Sequence, residues 1–247
     1  MLEPELIKPY SYSGNKKKQI TTMFDNISAK YDFINKVLTF GIDSYWRYKA
    51  VKIASCDQKR SCVLDLAVGT GDLAIQLGYE KNIEKVIGLD ISNKMLEIAA
   101  RKIKKKNLSE KILLEMGDAE NIKYKDESFN VVTMSFGIRN LQNIELCINE
   151  IYRVLTLNGK VVILEFSHPT QFIIKVLYRI YLFIFVSNFG KLVSSDRYAY
   201  KYLIKSIEKF PQGTNFLNIL SKYGFTNLQQ IRLTFGIATI YVGFKKI

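Results

Sequence analysis

The sequence VLDLAVGTGDLA, residues 63–74, has the pattern of a strand, a glycine-rich turn and the beginning of a helix. Gly69, Gly71 and Ala74 follow the spacing G-x-G-x-x-G/A, in which small residues let the backbone approach a nucleotide. More than one class of protein uses such a loop. The stretch therefore predicts an α/β fold with a nucleotide-containing ligand, and the rest of the chain has to identify that ligand.

Strand-like and helix-like stretches alternate from residue 62 onward. The predicted strands are 62–67, 86–90, 112–117, 131–136 and 160–166. Helices are predicted to start near Gly71, to run from Ser92, a helix N-cap, to about Lys105, and to run from about Ile144 to Leu155. This alternation predicts a doubly wound, mostly parallel sheet with helices on both faces.

The end of the chain breaks the pattern. Strand-like stretches at 228–234 and 238–246 are joined by a short turn at 235–237. So short a link predicts an antiparallel hairpin, because parallel strands need a crossover of a dozen or more residues. A mostly parallel sheet that closes with such a hairpin is the arrangement of class I S-adenosylmethionine-dependent methyltransferases. A nicotinamide-binding domain normally continues with parallel units, so the hairpin argues against a dehydrogenase.

The first loop supplies four candidate contacts, because ligands of open α/β sheets bind at the carboxyl ends of the strands. Gly69 and Gly71 let the backbone approach the ligand where a side chain would clash. Thr70 can offer a hydroxyl and a backbone N–H. Asp65 lies four positions before Gly69, inside the strand, where a buried carboxylate needs partners. We expect Asp65 to orient the loop and the amino group of a methionine moiety.

Acidic residues end the next two strands. Asp90 is 19 residues beyond Gly71, where a carboxylate can accept hydrogen bonds from both ribose hydroxyls of either NAD or S-adenosylmethionine. Asp118 follows the third strand and could accept from an adenine amino group, while Ala119 leaves room for the ring. An acid at this third position favours S-adenosyl-L-methionine as the cofactor, because its adenosine lies across the strand ends and carries no pyrophosphate.

The net charge of the chain means that an anionic partner has to be considered. The 247 residues have a net charge of +13, which makes nucleic acid and an anionic membrane surface the two candidates. The basic runs at 16–18 and 101–106 are interpreted as solvated faces, the second being the end of a helix. The three cysteines form no C-x-x-C pair, and no metal site is predicted. The N-terminus has no apolar signal core, which favours a reducing cytoplasm.

The loop TMSFGIRNL, residues 133–141, argues against methylation of nucleic-acid bases. DNA adenine methyltransferases place an N-P-P-Y type motif here to grip a flipped base. The four prolines of the chain, at positions 4, 9, 169 and 211, all lie elsewhere, and the sequence has no Pro-Cys nucleophile. We expect no nucleic-acid partner, although a nucleic-acid-binding protein on the same fold stays as an alternative of a different class.

Together with YDFINKVLTFGIDSYW at 31–46 and RVLTLNGKVVILEFS at 153–167, this loop resembles the demethylmenaquinone and ubiquinone C-methyltransferase family. The resemblance covers nearly the whole chain, including KYLIKSIEKFP at 201–211 and the final hairpin. It implies methylation of a ring carbon of a prenylated hydroquinone, with demethylmenaquinol favoured. The ubiquinone-branch benzoquinol and another small phenolic or lipid acceptor are the alternatives.

The resemblance also implies roles for individual residues. Cofactor contacts are implied for Thr70, Asp90, Asp118, Ala119 and Ser135. A place near the quinol ring is implied for Tyr31, Asp32, Asn35, Arg139 and Asn140. Arg139, Asn140 and Tyr31 are interpreted as the catalytic group. A guanidinium stays protonated, so Arg139 can stabilise a phenolate or hold a water that takes the proton, while Asn140 orients the quinol oxygens.

The chain departs from the family pattern at two places. Asp43 stands where the first family signature usually has histidine, so no base is assigned there. Residues 156–158 stand where the second signature usually reads lysine, proline, glycine, which alters a turn before the fifth strand and is expected to affect stability more than chemistry. The single histidine, His168, is a candidate base, although a capping or exposed histidine fits its position better.

We interpret residues 1–247 as one domain in four segments. These are an N-terminal helical, substrate-side segment at 1–60, a cofactor-binding core at 61–167, an apolar cover at 168–212, and a C-terminal helix and hairpin at 213–247. Within the cover, FIIKVLYRIYLFIFV at 172–186 is too short and too charged to span a bilayer. It is interpreted as a buried helix, a cover over a polyprenyl chain, or an interfacial helix.

These features predict a cytoplasmic enzyme with peripheral contact at the inner face of the membrane. The positive charge would hold it to anionic lipid. A homodimer is left open.

Overall fold

The computed structural model describes residues 2–11, 14–56, 61–181 and 197–246. Seven strands form one sheet. They are β1 Ser61–Leu66, β2 Ile83–Asp90, β3 Ile112–Met116, β4 Phe129–Ser135, β5 Leu155–Phe166, β6 Phe225–Leu233 and β7 Ala238–Lys245. Their order across the sheet is β3-β2-β1-β4-β5-β7-β6. All pairs are parallel except the two that β7 makes, with β5 and with β6. The predicted parallel sheet with an antiparallel hairpin is confirmed.

Ten helices are described in these parts of the chain. They are α1 Glu3–Leu6, α2 Lys16–Ile27, α3 Tyr31–Leu38, α4 Ile42–Ser55, α5 Asp72–Gly78, α6 Asn93–Lys105, α7 Ile144–Val154, α8 Phe172–Tyr181, α9 Arg197–Lys209 and α10 Thr214–Lys222. Short 3₁₀ turns occupy Ser28–Lys30, Ile138–Asn140 and Thr234–Gly236. The predicted N-cap at Ser92 is confirmed, because its hydroxyl accepts the backbone N–H of Met95 at the start of α6.

The core lies on both faces of the sheet. Successive residues of a strand point to opposite faces, so Val63 packs against α4, α5 and α6 on one side. Its neighbour Leu64 packs against α7 and α10 on the other side. Because both faces of the sheet are buried, the strands are near-continuous apolar runs in the sequence.

Five of the seven strands begin earlier than the sequence predicts, while β3 and β7 begin at the predicted residues. β5 begins at Leu155 and β6 at Phe225, because pairing with neighbouring strands extends them beyond their most apolar residues. The turn expected before the fifth strand at residues 156–158 instead lies inside β5. There the pairing with β4 shifts between Leu155 and Lys160, and Asn158 has a φ of 60°. The predicted position of that turn is therefore corrected.

Helices α2 and α3 cover the carboxyl edge of the sheet through three polar contacts. The Lys17 ammonium donates to Asp118 at 2.5 Å, and the Ser92 hydroxyl donates to Asp25 at 2.5 Å. The Thr70 hydroxyl donates to Asp32, also at 2.5 Å. The N-terminal segment thus lies directly over the edge at which the fold places its ligand.

Helix α8 forms part of the predicted apolar cover, and residues 182–186 of that stretch lie outside the described residues. The buried-helix interpretation is wrong for the described part. Phe172 and Ile173 are 80% and 72% exposed, while Tyr178 is buried. Within the described parts of the chain, no helix has the length and apolar character needed to cross a membrane.

Candidate active site

The glycine-rich loop between β1 and α5 presents its backbone to open space. Gly69 and Gly71 have φ values of 55° and 84°, in the left-handed region that favours glycine. A β-carbon at Gly69 would meet only the Ala67 carbonyl oxygen, at 4.0 Å. A β-carbon at Gly71 would lie 3.1 Å from that of Ala99 on α6. Gly69 therefore leaves an open surface over the loop, and Gly71 lets the loop pack closely on α6.

A smaller cavity of about 70 Å³ lies at the carboxyl ends of the strands. It brings together five of the predicted cofactor residues, namely Gly69, Asp90, Asp118, Ala119 and Ser135. The other three, Asp65, Thr70 and Gly71, lie beside the cavity and are not among the described residues that line it. The strand-end acids thus converge on one place, as parallel topology requires.

Asp90 is built into both the loop and the following helix. One carboxylate oxygen accepts the Gly69 N–H at 2.8 Å, and the other accepts the Ser92 N–H at 2.8 Å. Burial raises the pKa of this carboxyl, against the effect of its backbone hydrogen bonds. The side chain therefore holds the glycine loop to α6 and presents its remaining lone pairs to the smaller cavity.

Asp118 is held by an N-terminal residue. Its Oδ1 accepts the Glu120 N–H at 2.9 Å, and its Oδ2 accepts from Lys17, which also pairs with Glu120 at 3.0 Å. Each carboxylate oxygen keeps a further lone pair, so Asp118 can still accept from a ligand. Lys17 itself lines the smaller cavity. The basic run 16–18 was predicted to lie on a solvated face, and this is wrong for Lys17 and for the buried Lys16.

A second polar cluster ties Thr70 to the N-terminal segment. The Lys102 ammonium donates to Asp32 at 2.8 Å and to Thr70 at 3.3 Å, and it also pairs with Asp72. Asp32 therefore lies at the glycine-rich loop. It is not among the described residues that line the larger cavity defined below, where the family resemblance had placed it. Lys102 belongs to the basic run 101–106, which was predicted to be solvated. Its contacts with Asp32, Thr70 and Asp72 were not predicted, because a run of basic residues in a sequence is typical of a solvent-exposed face.

Asp65 is buried with one oxygen unpaired. Its Oδ1 accepts from the Thr133 hydroxyl at 2.7 Å, while its Oδ2 has no hydrogen-bond partner. Burial raises the pKa of Asp65 to about 7, with the Thr133 hydrogen bond and Arg47 opposing the rise. A carboxylate left in this state favours a cationic ligand group nearby.

Replacing Asp65 by asparagine is expected to stabilise the ligand-free protein against unfolding more at pH 7.5 than at pH 5. The unfolded carboxyl ionises near pH 3.8 and the folded one near 7, so wild-type stability is complete below 3.8 and falls as the pH rises to 7. At 1.36 kcal/mol per pKa unit, the free energy of unfolding of Asp65→Asn relative to wild type should grow by about 2–3 kcal/mol between pH 5 and pH 7.5. Urea titrations at both pH values measure it.

The control for this comparison is Glu97→Gln, which removes an exposed carboxylate from α6. Its stability relative to wild type should change little with pH. An Asp65→Asn difference that is equally flat would show that Asp65 ionises normally in the folded protein.

A larger cavity of about 320 Å³ adjoins the smaller one. Its walls come from α2, α3, α4, α8 and α9 and are mostly apolar, with Met23, Ile34, Trp46, Leu177 and Tyr202 among them. Phe24, Tyr31, Phe136 and Asn140 line both cavities. A ligand in one cavity therefore meets a ligand in the other at these four side chains.

Arg139 faces the larger cavity from a buried ion pair. Its guanidinium donates to Glu165 at 2.6 Å and to the Phe136 carbonyl at 2.7 Å, while its Nε is buried without a partner. Glu165 is fully buried, and burial raises its pKa although Arg139 opposes the rise. Arg139 is thus both a salt-bridged residue and a cation that lines the cavity. The sequence did not identify Glu165 as a site residue, because a single acid within an apolar strand does not indicate which residue it pairs with.

Asn140 and Tyr31 complete the boundary between the two cavities. Asn140 donates to the Phe136 carbonyl at 3.1 Å, and its Oδ1 is buried without a partner. Burial raises the pKa of Tyr31, while a hydrogen bond with Asn35 and the charge of Arg47 lower it. Asn35 also lines the larger cavity. His168, the candidate base, is not among the described residues that line either cavity.

The sheet order, the glycine-rich loop and the acids at successive strand ends are those of the S-adenosylmethionine-dependent methyltransferase fold. Solved structures share the fold at low sequence identity. A SAM-dependent methyltransferase from Thermotoga maritima has a TM-score of 0.61 and 20% identity, covering 92% of this chain and all of that one. The [4+2]-cyclase SpnF has a TM-score of 0.66 and 13% identity, covering 94% and 96%. Since one of these is a cyclase, the fold alone does not define the reaction.

Proteins related in sequence identify the family within this class. The model of the ubiE/COQ5 methyltransferase family matches residues 12–245, and the chain belongs to that family. Demethylmenaquinone methyltransferase of Bacteroides fragilis is 42% identical over 98% of both chains. The ubiquinone/menaquinone biosynthesis C-methyltransferase UbiE of Geotalea uraniireducens is 39% identical over 93% of this chain and 97% of its own. The predicted family, methyltransferase activity and use of S-adenosylmethionine are confirmed.

Proposed function

We propose that this protein transfers a methyl group from S-adenosylmethionine to a ring carbon of a prenylated hydroquinone, with demethylmenaquinol as the acceptor. The contact between the two cavities at Phe24, Tyr31, Phe136 and Asn140 carries the proposal. The smaller cavity has the polar groups suited to the cofactor, and the larger has apolar walls suited to a quinol. The full-length relatives named demethylmenaquinone methyltransferase support the menaquinone branch.

The residues of the smaller cavity suit this cofactor. The open surface over Gly69 admits a ligand against the backbone, Asp90 suits ribose hydroxyls, and Asp118 suits an adenine amino group. The unpaired Oδ2 of Asp65 suits a cationic group. When bound, S-adenosylmethionine supplies an electrophilic methyl group on a positively charged sulfur.

Carbon methylation requires a nucleophilic ring. A ring carbon becomes nucleophilic when the neighbouring phenol loses its proton, so the protein has to stabilise a phenolate. Two cations, Arg47 and Arg139, line the larger cavity. Arg139 directly precedes Asn140 of the shared wall, and its ion pair with Glu165 holds it there. The unpaired Oδ1 of Asn140 can accept from a quinol hydroxyl. The surrounding apolar walls exclude water, which strengthens these interactions.

The prenyl tail can leave the larger cavity between α8 and the end of α3. Phe40 and Leu177 line that cavity and are also 70% and 60% exposed, so its mouth opens onto an apolar surface. Phe40 packs on Tyr181 of α8, with their ring centroids 5.8 Å apart. A cavity of about 320 Å³ has room for a ring but not for a long tail. The rest of the tail would therefore stay with the membrane that supplies it.

We further propose that α8 rests on an anionic membrane at the cytoplasmic face. The net charge of +13 favours acidic lipid, and Phe172 and Ile173 present their side chains outward. Changing both to glutamate is expected to lower binding to acidic vesicles at low salt about 10-fold or more, because each apolar side chain contributes up to about 1.5–3 kcal/mol when buried. Co-sedimentation measures this binding.

Neither residue lines the larger cavity, so turnover of a short-tailed quinol in detergent should stay within about 3-fold of wild type. The matched control is Tyr79→Glu, which changes an exposed aromatic residue at the far end of α5 from the glycine-rich loop. If wild-type protein does not bind acidic vesicles even at low salt, the membrane proposal is contradicted. A homodimer would add a second such surface, and the sedimentation of the protein without lipid tests for it.

The function itself is tested by methyl transfer from labelled S-adenosylmethionine to three reduced acceptors. These are demethylmenaquinol, the demethyl benzoquinol precursor of the ubiquinone branch, and a naphthohydroquinone without a tail. Preferred turnover of demethylmenaquinol supports the proposal. Preferred turnover of the benzoquinol would assign the protein to the ubiquinone branch instead. Cofactor binding without methyl transfer to any of the three acceptors would overturn the quinol assignment.

A further inference from the structure

The reaction proposed above requires the acceptor phenol to lose its proton, and the larger cavity contains one carboxylate that can receive it. Of the described residues that line this cavity, Asp43 is the single aspartate or glutamate, and no histidine is among them. Glu165 lies behind Arg139 and is fully buried. No base was assigned at Asp43 from the sequence, because the family pattern usually has histidine at this position and no sequence pattern reports which acids share a cavity with the acceptor.

The other polar groups of the cavity are poorly suited to take a proton. Arg47 and Arg139 are cations, and Asp72 and Asp43 raise the pKa of Arg47 although burial alone would lower it. Burial raises the pKa of each tyrosine in the wall, which keeps their hydroxyls neutral. These are Tyr31, Tyr178, Tyr181 and Tyr202. Asn35, Thr39, Asn140 and Thr234 do not ionise.

Asp43 is held in place by two donors. It lies in the first turn of α4, where the Thr39 hydroxyl donates to its Oδ1 at 2.8 Å and Arg47 donates to its Oδ2 at 2.5 Å. Burial alone would raise the pKa of Asp43, but Arg47 and the hydrogen bonds hold it below 3.8. The carboxylate is therefore ionised at neutral pH and keeps free lone pairs on both oxygens.

We propose that Asp43 is a catalytic residue that accepts the phenolic proton of the quinol. The O–H bond breaks with its electron pair left on oxygen, and the proton binds an oxygen of Asp43. After methyl transfer to the ring, the methylated ring carbon releases its own proton to water, and Asp43 returns the first proton to the quinol oxygen. One proton is released per turnover, and the carboxylate is regenerated. The inference rests on the proposed function.

Asp43 and Arg139 would act on the same event from different residues. Arg139 stabilises the phenolate charge, and Asp43 removes the proton that creates it. A carboxylate of low pKa is a weak base, so it can work only where a cation stabilises the phenolate as it forms. The charged and titratable groups around Asp43 that influence this step are Arg47 on the same helix, Asp72 on α5, Tyr31 on α3, Arg139 after β4, Tyr178 and Tyr181 on α8, and Tyr202 on α9.

The first test compares kcat for Asp43→Asn and Asp43→His with wild type between pH 5 and 9, using demethylmenaquinol and saturating cofactor. We expect Asp43→Asn to lower kcat at least 100-fold and Asp43→His to recover at least 10-fold of that loss. Asp43→His should also gain an acidic limb near the histidine pKa of about 6.5, which wild type lacks because its carboxylate is already ionised. Thermal unfolding checks that both variants are folded.

The second test needs no turnover. A carboxylate accepts from a quinol hydroxyl but repels a quinone oxygen, so wild type should bind naphthohydroquinone more tightly than naphthoquinone. The ratio of the two dissociation constants, measured without cofactor and without oxygen, should fall about 10-fold in Asp43→Asn. The control is Asp126→Asn, which changes a surface carboxylate that also pairs with an arginine and is 73% exposed. It should leave both kcat and the binding ratio within about 2-fold of wild type.

The outcomes separate this proposal from the proposed function. If wild type turns over no quinol, the proposed function fails, and the role of Asp43 fails with it. If wild type is active while folded Asp43→Asn keeps more than a third of kcat, the role of Asp43 is wrong and the function stands. A large loss of kcat with an unchanged binding ratio and no new acidic limb in Asp43→His would make Asp43 a structural partner of Arg47, which also overturns the proposal.

Discussion

Replacing Arg139 by alanine is expected to lower kcat for quinol methylation about 100- to 1,000-fold, the usual loss when one preorganised donor to a developing oxyanion is removed. Arg139 lines the larger cavity and is held there by Glu165 and the Phe136 carbonyl. Cofactor affinity should change less than about 3-fold, because Arg139 is not among the described residues that line the smaller cavity. Single-turnover methyl transfer and isothermal titration with S-adenosylhomocysteine measure the two effects.

The same substitution should also destabilise the protein. Glu165 is fully buried, so alanine at position 139 would leave its charge without a partner. Breaking a buried ion pair in this way costs about 3–5 kcal/mol. A loss of activity in the single variant therefore has two sources that must be separated.

The double variant Arg139→Ala, Glu165→Gln separates them. Removing both charges should recover about half of the lost stability, while kcat stays as low as in the single variant. If the double variant also recovered activity, Arg139 would serve only to neutralise Glu165. That result would contradict its assignment to the phenolate.

Replacing Asp90 by asparagine is expected to raise the dissociation constant for S-adenosylmethionine about 30- to 300-fold. Asp90 accepts the N–H groups of Gly69 and Ser92 and faces the smaller cavity. An asparagine has one acceptor oxygen, so its amide must face one of these N–H groups and cannot accept from both ribose hydroxyls. Each hydrogen bond to a charged group contributes about 1.5–3 kcal/mol, and the predicted range corresponds to losing one or two of them.

Isothermal titration of the folded variant measures this affinity, with Glu97→Gln on α6 as the control for removing one negative charge. The control should bind the cofactor within about 2-fold of wild type. Asp90→Asn that binds equally well would remove Asp90 from the cofactor site. Asp118→Asn should have a smaller effect, about 10-fold, because it would lose one contact to an adenine amino group and Asp118 is partly exposed beside Lys17.

The convergence of the strand-end residues on one cavity could be predicted from the sequence, whereas the position of Asp32 could not. Gly69, Asp90 and Asp118 each end a strand or follow one, and parallel strands bring such positions to one edge. Asp32 was placed at the acceptor by resemblance, but it bonds Thr70 and Lys102 at the loop instead. Its position depends on how α3 packs on α6, and no local pattern in the sequence reports that packing.

The sequence by itself determined the order of strands and helices, the parallel sheet with its antiparallel hairpin, and the acids at the strand ends. These follow from local periodicity, turn residues and link length, which act within a few residues of each other. Only the tertiary structure decided that Lys17 pairs with Asp118 and that Arg139 pairs with Glu165. It also decided that Asp43 shares a cavity with the three catalytic candidates Arg139, Asn140 and Tyr31. Such pairings join residues up to about a hundred positions apart, and they depend on how whole helices pack over the sheet.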